Sequence, residues 1–303
     1  MKLDTTLAFD SPPSAAAYML GAVLRSRRSP RTDGVEFPPL RIQWTGFTTG
    51  SRDRLAIQRM TGLADDARLD LVLPHFTGFR ALMVLLTHPT FPLPIWRALQ
   101  VRNSLRLLRE TDGEEPVLEA WVAGQRVLEK GVEVDLCSSL KSRGEPLWES
   151  INTFYYRGSF PRAGDAPASP GRPPSADGQV VATWKAARGL GLKAARLTGD
   201  FNPVHWSGVY ARHLGFARGS FLHPQVAIGQ CLAHLSAPSR GSPFRLDVWI
   251  RGQVYAGLEV ALRISPGLGG SVFELRCGTE ARPALVGRTS ENPRAGDWHH
   301  NAS

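Results

Sequence analysis

The sequence has few cysteines, no long apolar run and no excess of acidic residues. Its three cysteines, Cys137, Cys231 and Cys277, are odd in number, far apart and without a C-x-x-C pairing. We therefore expect reduced, buried thiols rather than a disulfide framework or a zinc site.

No uninterrupted apolar run reaches the ~20 residues that span a bilayer, so we expect no membrane association. The N-terminal residues place Asp4, Asp10 and two prolines ahead of a short apolar part. That is a poor secretory signal and predicts a cytoplasmic protein.

The composition is typical of a globular chain of one large or two ordinary domains. Its 303 residues are 42% hydrophobic and 21% charged, which is enough to bury a substantial core. The formal net charge is +9, and most of the positive charge is arginine. Such a balance favours anionic partners: nucleic acid, an acidic protein or a phosphorylated carrier. The densest cluster, RSRRSPR at 25–31, is followed by no nucleic-acid-binding motif, so we expect a solvated loop and no nucleic-acid partner.

A change in composition divides the chain in two. Residues 161–178 are dense in Pro, Gly, Ala and Ser and show no apolar period, which predicts a linker. We therefore expect an N-terminal domain over residues 1–160, a linker over 161–178 and a C-terminal domain over 179–303.

In the second half, residues 244–255, 257–264 and 271–277 alternate apolar and polar side chains. Leu246 and Val248, for example, alternate with Arg245 and Asp247. Three such segments between Gly-rich turns predict a curled antiparallel sheet with one buried face. Ahead of them, residues 224–237 carry apolar side chains at helical spacing and few charges, which predicts a helix buried in the concavity of that sheet.

The first half repeats this plan faintly. Residues 71–88 predict an apolar helix that begins near Pro74 or His75, and strand-like segments follow at 118–124, 131–140 and 148–158. Both predicted helices open with adjacent His and Pro residues. The fold class is therefore α+β, with two helix-wrapped-by-sheet units. His75 has no chemical partners nearby in sequence, so we interpret it as a structural residue at a helix start.

The stretch 197–206, LTGDFNPVHW, crowds an acid, an amide and an imidazole into one turn. Helix capping is by itself enough to explain Asn202 and Pro203, because Asn is a favoured N-cap and Pro a favoured first helical residue. It does not explain Asp200 or His205. The positive end of a helix biases His205 towards its neutral, basic form, and a nearby carboxylate could share a proton with it. The residues thus leave two interpretations open, a capped loop or a general acid–base site without a metal.

Gly199-Asp200-x-Asn202-Pro203-x-His205 resembles the hydratase motif of MaoC-like dehydratases and (R)-specific enoyl-CoA hydratases. The resemblance is strong over residues 197–250 and looser elsewhere, where residues 91–96, 101–105 and 147–150 are similar to a non-catalytic N-terminal unit of two-domain members. It implies a double hot-dog fold, in which each half is a long helix wrapped by a curled antiparallel sheet. The first domain would be a degenerate, non-catalytic hot dog, and the second would be catalytic.

The resemblance also implies an activity. It is the reversible syn hydration of a trans-2-enoyl thioester to the (R)-3-hydroxyacyl thioester, or the reverse dehydration, by a hydro-lyase of fatty acid metabolism that needs no cofactor. The substrate would be a thioester of coenzyme A or of acyl carrier protein. Asp200 and His205 would be the acid–base pair, in either order of roles, and Asn202 would orient the pair or the water. The residues expected to bind the substrate are Gly199, Trp206, His223, Pro224 and Gln225. In a chain of two fused hot dogs, the sheet edges would be satisfied either in a monomer or in a homodimer.

One residue departs from the family pattern. The buried helix usually starts with a Gly whose N–H points at the thioester oxygen, but the corresponding residue here is Pro224, which has no N–H. Either the N–H of Gln225 donates to the thioester oxygen instead, or the catalytic activity of the protein is weakened. A protein that binds acyl-CoA without turnover is therefore an alternative to the enzyme. A basic nucleic-acid-binding protein and a hot-dog thioesterase are further alternatives.

Overall fold

The computed structural model describes residues 5–25, 37–109, 116–160, 172–239 and 241–291. Within these ranges the strands are β1 (Thr5–Phe9), β2 (Leu40–Trp44), β3 (Leu99–Leu107), β4 (Val117–Leu128), β5 (Gly131–Ser142), β6 (Glu145–Arg157), β7 (Val180–Lys185), β8 (Phe244–Ile250), β9 (Glu259–Gly267), β10 (Gly270–Cys277) and β11 (Leu285–Glu291). The α-helices are α1 (Ala15–Arg25), α2 (Ser51–Thr61), α3 (Ala67–Thr77), α4 (Phe79–Thr87), α5 (Leu190–Thr198), α6 (Gly208–His213) and α7 (Pro224–Leu232).

The strands form one open sheet in the order β1-β2-β4-β5-β6-β3-β8-β11-β10-β9-β7. β1 and β2 are parallel, and the other neighbours are antiparallel. The strands from before residue 160 lie on one side of the sheet and those from after residue 178 on the other. They meet where β3 pairs with β8, with Ser104 opposite Asp247. The predicted α+β class, a curled sheet around apolar helices, is confirmed.

The inner face of the sheet carries the predicted apolar residues. On β8, Leu246 and Val248 are fully buried, and on β10, Phe273 and Leu275 are too. The three alternating segments of the second half thus form β8, β9 and β10 as predicted. β7 and β11 complete this side of the sheet and were not predicted.

The apolar helix of the first half begins earlier than predicted. The prediction of a start near Pro74 or His75 is wrong, because Asp66 caps the helix by accepting the N–H of Arg68 at 2.9 Å, and Pro74 lies inside α3. The chain then turns at Gly78 before α4 begins. A side chain at Gly78 would meet the Pro74 carbonyl and Leu118, so only Gly permits this close approach.

The helices α3 and α4 together are long enough to cross a membrane. The stretch Ala67–Thr87 has 21 residues, but 89% of its most apolar 18-residue window is buried inside the protein. The pair packs against β2, β3, β4 and β6. It is therefore the core helix of this half of the sheet.

The helix of the second half is shorter than the predicted 224–237. α7 ends at Leu232, and a tighter turn follows in which the N–H of Leu235 bonds to the carbonyl of Leu232 at 3.1 Å. α7 contacts both α2 and α3. Gly229 allows the approach of α2, since a Cβ there would lie 2.5 Å from Thr61. The core helices of the two halves thus touch each other.

Only the last part of the predicted linker lies within the described residues. Residues 161–171 lie outside the described residues, as do the arginine-rich residues 26–31. Residues 172–178, however, run along the second half of the sheet. Ala176 is buried and donates its N–H to Glu274 of β10 at 3.2 Å. All three cysteines are buried and free of disulfides, which confirms that prediction.

Candidate active site

The loop after α5 fixes the position of Asp200. Gly199 ends α5 with a φ of 72°, a left-handed conformation that favours glycine. The side chain of Asp200 then turns back on its own loop, where Oδ1 accepts the N–H of Asn202 at 2.9 Å. Tyr18 of α1 fastens the same loop, because its hydroxyl donates to the Gly199 carbonyl at 2.8 Å. Oδ1 of Asp200 is thereby hydrogen-bonded within its own loop, and Oδ2 faces the nearby histidines.

His205 is positioned by the short 3₁₀ turn Pro203–His205. Asn202 caps this turn, with Oδ1 accepting the N–H of Val204 at 3.3 Å. The Nδ1 of His205 lies 3.2 Å from the carbonyl oxygen of Phe221. A carbonyl only accepts, so Nδ1 carries the ring proton, and the Nε2 of neutral His205 has a free lone pair.

His223 reaches the same carboxylate from another part of the chain. It is the N-cap of α7, and its Nδ1 accepts the N–H of Gln225 at 3.4 Å. Its ring proton is therefore on Nε2, the opposite tautomer to that of His205. Nε2 of His223 lies 3.4 Å from Oδ2 of Asp200, and Nε2 of His205 lies 3.7 Å from the same atom.

The surroundings of the pair set its protonation. Burial alone would raise the pKa of Asp200, but the hydrogen bond from His223, the imidazole of His205 and the N–H of Asn202 together lower it. Burial lowers the pKa of His205 to about 4. Near neutral pH the site therefore presents an ionised carboxylate beside a neutral imidazole.

Asp200, His205 and His223 open onto a cavity of about 420 Å³. Its wall is built from both sides of the sheet seam: Phe79, Met83 and Phe154 come from the first half, and Phe221, Ala227 and Val254 from the second. Arg251 and Arg282 also line it. The cavity thus combines an apolar wall with two cations and an acid–base pair.

Solved structures of known proteins share this architecture. HtdX of Mycobacterium tuberculosis matches with a TM-score of 0.68 and 19% identity, over 83% of this chain and 99% of that one. A MaoC-like dehydratase from Phytophthora capsici matches with a TM-score of 0.66 and 16% identity, over 86% and 97%. Full-length peroxisomal multifunctional enzyme type 2 from Drosophila melanogaster matches with a TM-score of 0.58 and 17% identity, over 91% and 52%. No protein-family model matches the sequence, and no curated protein matches it.

The chain has the hot-dog fold of MaoC-like dehydratases.

Within this MaoC-like fold, five of the eight predicted site residues line the cavity, namely Asp200, Asn202, His205, His223 and Pro224. The other three do not.

Each of those three has a structural role instead. Gly199 makes the turn below the site. Trp206 is 44% exposed and donates from its indole to the Phe201 carbonyl at 3.3 Å. Gln225 is buried, and its side chain donates to the backbone carbonyl of His75 at 2.9 Å. Their prediction as substrate-binding residues is therefore not supported by the cavity.

Among the described arginines of the second half, Arg251 and Arg282 line the cavity and the others do not. Arg245 is paired with Asp247 at 3.0 Å and Arg218 with Glu280 at 2.8 Å. Neither of them, nor Arg212, lines the cavity, and Arg240 lies outside the described residues. The sequence offered no signal for Arg251 and Arg282, because the two residues come together only through the loops that flank β8 and precede β11.

His75 does not lie at a helix start, and that interpretation is wrong. It lies inside α3, 1% exposed, with Nε2 3.3 Å from the amide nitrogen of Asn103. Its Nδ1 is buried, with no hydrogen-bond partner in the described part of the chain. Burial lowers the pKa of His75 to about 3, so the ring stays neutral in the folded protein.

The start of α7 offers no free N–H to the cavity. Pro224 has none, and the N–H of Gln225 faces Nδ1 of His223. The expectation that Gln225 replaces the missing donor is therefore not met. The side-chain amides at the wall are those of Gln100, Asn202 and Gln253, and Gln100 donates to Asn103 and Asn152. Asn202 shares its loop with Asp200, and its Oδ1 accepts the N–H of Val204. Its Nδ2 has no protein acceptor among the residues that the structure describes.

The trio could also be considered as a metal site, because one ligand atom from each residue lies within 4.8 Å of the others. A histidine that binds a metal through Nε2 donates its Nδ1–H to an acceptor. The Nδ1 of His223 instead faces an N–H donor, so metal binding would break the cap of α7. The donor set fits proton transfer better than metal binding.

Proposed function

We propose that the protein catalyses the reversible syn hydration of a trans-2-enoyl thioester to the (R)-3-hydroxyacyl thioester, or the reverse dehydration. The observation that carries this proposal is the pairing of an ionised carboxylate with a neutral imidazole, 3.7 Å apart at the wall of a cavity that has both apolar and polar lining residues. Such a pair can hold a water molecule and exchange protons with it. The likeness of fold to MaoC-like dehydratases agrees with this chemistry.

The reaction balances on one water molecule. The C3–O bond forms as an O–H bond of water breaks, and the π electrons of the C2=C3 bond form the new C2–H bond. The Asp200 and His205 pair accepts one proton from the water and gives one to C2, so the pair is unchanged after a turnover. Both groups approach from the same wall of the cavity, which gives addition to one face of the double bond.

The developing negative charge on the thioester oxygen needs a donor. Pro224 and Gln225 do not supply one, and we assign this contact to the Nδ2 of Asn202 because Asn202 lies on the same loop as Asp200 and His205. One such donor typically contributes ~10²–10³-fold in rate. Asn202 would then both cap the turn that carries His205 and bind the carbonyl.

The division of labour between the halves is part of the proposal. Residues 179–303 supply the acid–base pair, whereas residues 1–160 supply an apolar wall that suits an acyl chain. Arg251 and Arg282 suit the phosphates of the carrier, coenzyme A or acyl carrier protein. The protein would work as a monomer of two fused hot dogs or as a homodimer of them.

The test follows the loss of conjugated-enoyl absorbance of crotonyl-CoA and of a longer trans-2-enoyl-CoA. Wild type should hydrate at least one of them, and Asp200→Asn and His205→Ala should each lose ~10²–10⁴-fold. The exposed His213→Ala serves as a matched control and should keep full activity. Thioester binding without hydration of any chain length would refute the enzyme and leave the alternative, a protein that binds acyl-CoA without turnover.

A further inference from the structure

We infer that His223 is a positioning residue of the acid–base pair, which holds the Asp200 carboxylate in place by donating its Nε2–H to Oδ2. This inference rests on the proposed function and adds a third side chain to it. His223 is the nearer of the two histidines, at 3.4 Å against 3.7 Å for His205.

The tautomers of the two histidines give them different tasks. The N–H of Gln225 fixes the proton of His223 on Nε2, where it can only be donated to Asp200. The carbonyl of Phe221 fixes the proton of His205 on Nδ1, which leaves the Nε2 of His205 free to accept a proton. The same carboxylate oxygen therefore has a permanent donor on one side and an exchangeable base on the other.

The ring of His223 is held rigidly. Its side chain is 2% exposed. The ring of Phe79 meets it edge to face at 5.4 Å, and the ring of His205 lies 4.9 Å away. Because α7 begins at the next residue, rotation of the ring would also break the helix cap. The direction of the Nε2–H bond is thus set by the ring contact with Phe79 and by the cap at the start of α7.

The other groups near Asp200 do not duplicate this contact. On the α1 side, Tyr18 donates to the Gly199 carbonyl and not to the carboxylate. Arg80 of α4 donates to the carbonyl of Arg196. His75 of α3 lies beyond His223 and bonds to Asn103. Of these groups, only His223 and His205 lie within 4 Å of the Asp200 carboxylate among the described residues, and only His223 has a proton on the nitrogen that faces it.

The arrangement also explains Pro224. A proline at this position gives α7 a favourable first residue, and the first available N–H, that of Gln225, is used to fix His223. The helix start thus serves the orientation of Asp200 instead of the thioester carbonyl.

The experiment compares His223→Phe, which keeps a ring but has no donor, with His223→Gln, which keeps a side-chain N–H. A hydrogen bond to a charged group corresponds to about one to two pH units in the titration of that group. The acidic limb of the pH profile of kcat/KM should therefore move upward by about one to two units in His223→Phe. In His223→Gln it should move by less, with partial recovery of kcat.

A readout that needs no turnover accompanies the kinetics. The carboxyl carbon of Asp200 is titrated by NMR in protein labelled with ¹³C-aspartate, and Asp200→Asn identifies its signal. His223→Phe should shift this titration upward. Ser207→Ala is the matched control, because it removes the N-cap of α6, which accepts the N–H of Tyr210 at 3.3 Å, without touching Asp200. It should lower stability but leave the titration unchanged.

An Asp200 signal that titrates at the same pH in wild type and His223→Phe would overturn the inference. So would a pH profile unchanged by the substitution. If wild type hydrates no enoyl thioester, the proposed function fails, yet the titration still decides whether His223 controls the carboxylate.

Discussion

Lowering the pH from 7 to 4.5 adds a proton to His75 in the unfolded chain but not in the folded one. Burial lowers the pKa of folded His75 to about 3, against an ordinary value of 6.5. Between these two values the unfolded state binds more protons than the native state, so the free energy of unfolding falls as the pH falls. The loss begins near pH 6.5 and is complete below about pH 3.

The size of the effect follows from the two pKa values. With 1.36 kcal/mol per pH unit, protonation of unfolded His75 costs the fold about 3 kcal/mol at pH 4.5 and about 5 kcal/mol in the acid limit. His205, with a folded pKa of about 4, acts in the same direction. Asp200, whose pKa is lowered, stabilises the fold above its unfolded pKa, and this contribution also disappears in acid.

The assay isolates His75 by substitution. Urea unfolding of wild type and His75→Gln is followed by tryptophan fluorescence at pH 7 and pH 4.5. The variant should lose about 3 kcal/mol less than wild type between the two pH values. His213→Gln, at an exposed position, should behave like wild type. An equal pH-dependent loss in wild type and His75→Gln would refute the assignment of a buried, neutral imidazole.

Two further predictions concern single positions. Pro224→Ala and Pro224→Gly each add a backbone N–H at the cavity wall. If this N–H becomes a second oxyanion donor, kcat/KM of enoyl-CoA hydration should rise by up to ~10²-fold. An unchanged rate in both variants would show that the thioester carbonyl is not bound at this helix start. Gly199→Ala should lower the free energy of unfolding in urea by about 1–2 kcal/mol for its φ of 72° and by more because its Cβ would lie 2.0 Å from the Tyr18 hydroxyl. The control Gly144→Ala has a φ of 83° and nothing within 4 Å of its Cβ, so its free energy of unfolding should fall only by the about 1–2 kcal/mol of the backbone conformation. An equal fall in the free energy of unfolding of both variants would contradict a role for the Tyr18 contact.

The sheet of the second half could be predicted where its strands alternate cleanly. β8 and β10 place Leu246, Val248 and Phe273 on one face, and this period of two is readable without a structure. β11 was missed because Gly287 interrupts its pattern, and the structure shows why a glycine is there: a Cβ would lie 2.2 Å from the ring of Phe273. β7 was missed because it is an exposed edge strand.

The helix of the first half shows the limit of local rules. Proline is a common first helical residue, so Pro74 indicated a helix start. Tertiary packing and the Asp66 cap allow α3 to continue through it.

The site was predictable only as far as it is local. Asp200, Asn202 and His205 lie within six residues; their spacing left a capped loop and an acid–base site open, and the resemblance to MaoC-like hydratases favoured the second. The contact of His223 with Asp200 joins the start of α7 to the loop after α5, and no spacing along the chain encodes it. The hydrogen bond from the N–H of Gln225 to His223, which fixes the tautomer of His223, is likewise visible only in the structure.

Because β3 pairs with β8, each half of the sheet covers the strand edge that the other half would otherwise expose to solvent. Either half expressed alone would present a full-length, unpaired strand, and such edges recruit other chains. At this seam Asp247 also accepts a hydrogen bond from Ser104, while Arg245 and Arg288 bond to the same carboxylate. Removal of residues 1–160 would therefore leave β8 as an unpaired edge to which a strand of another chain could add.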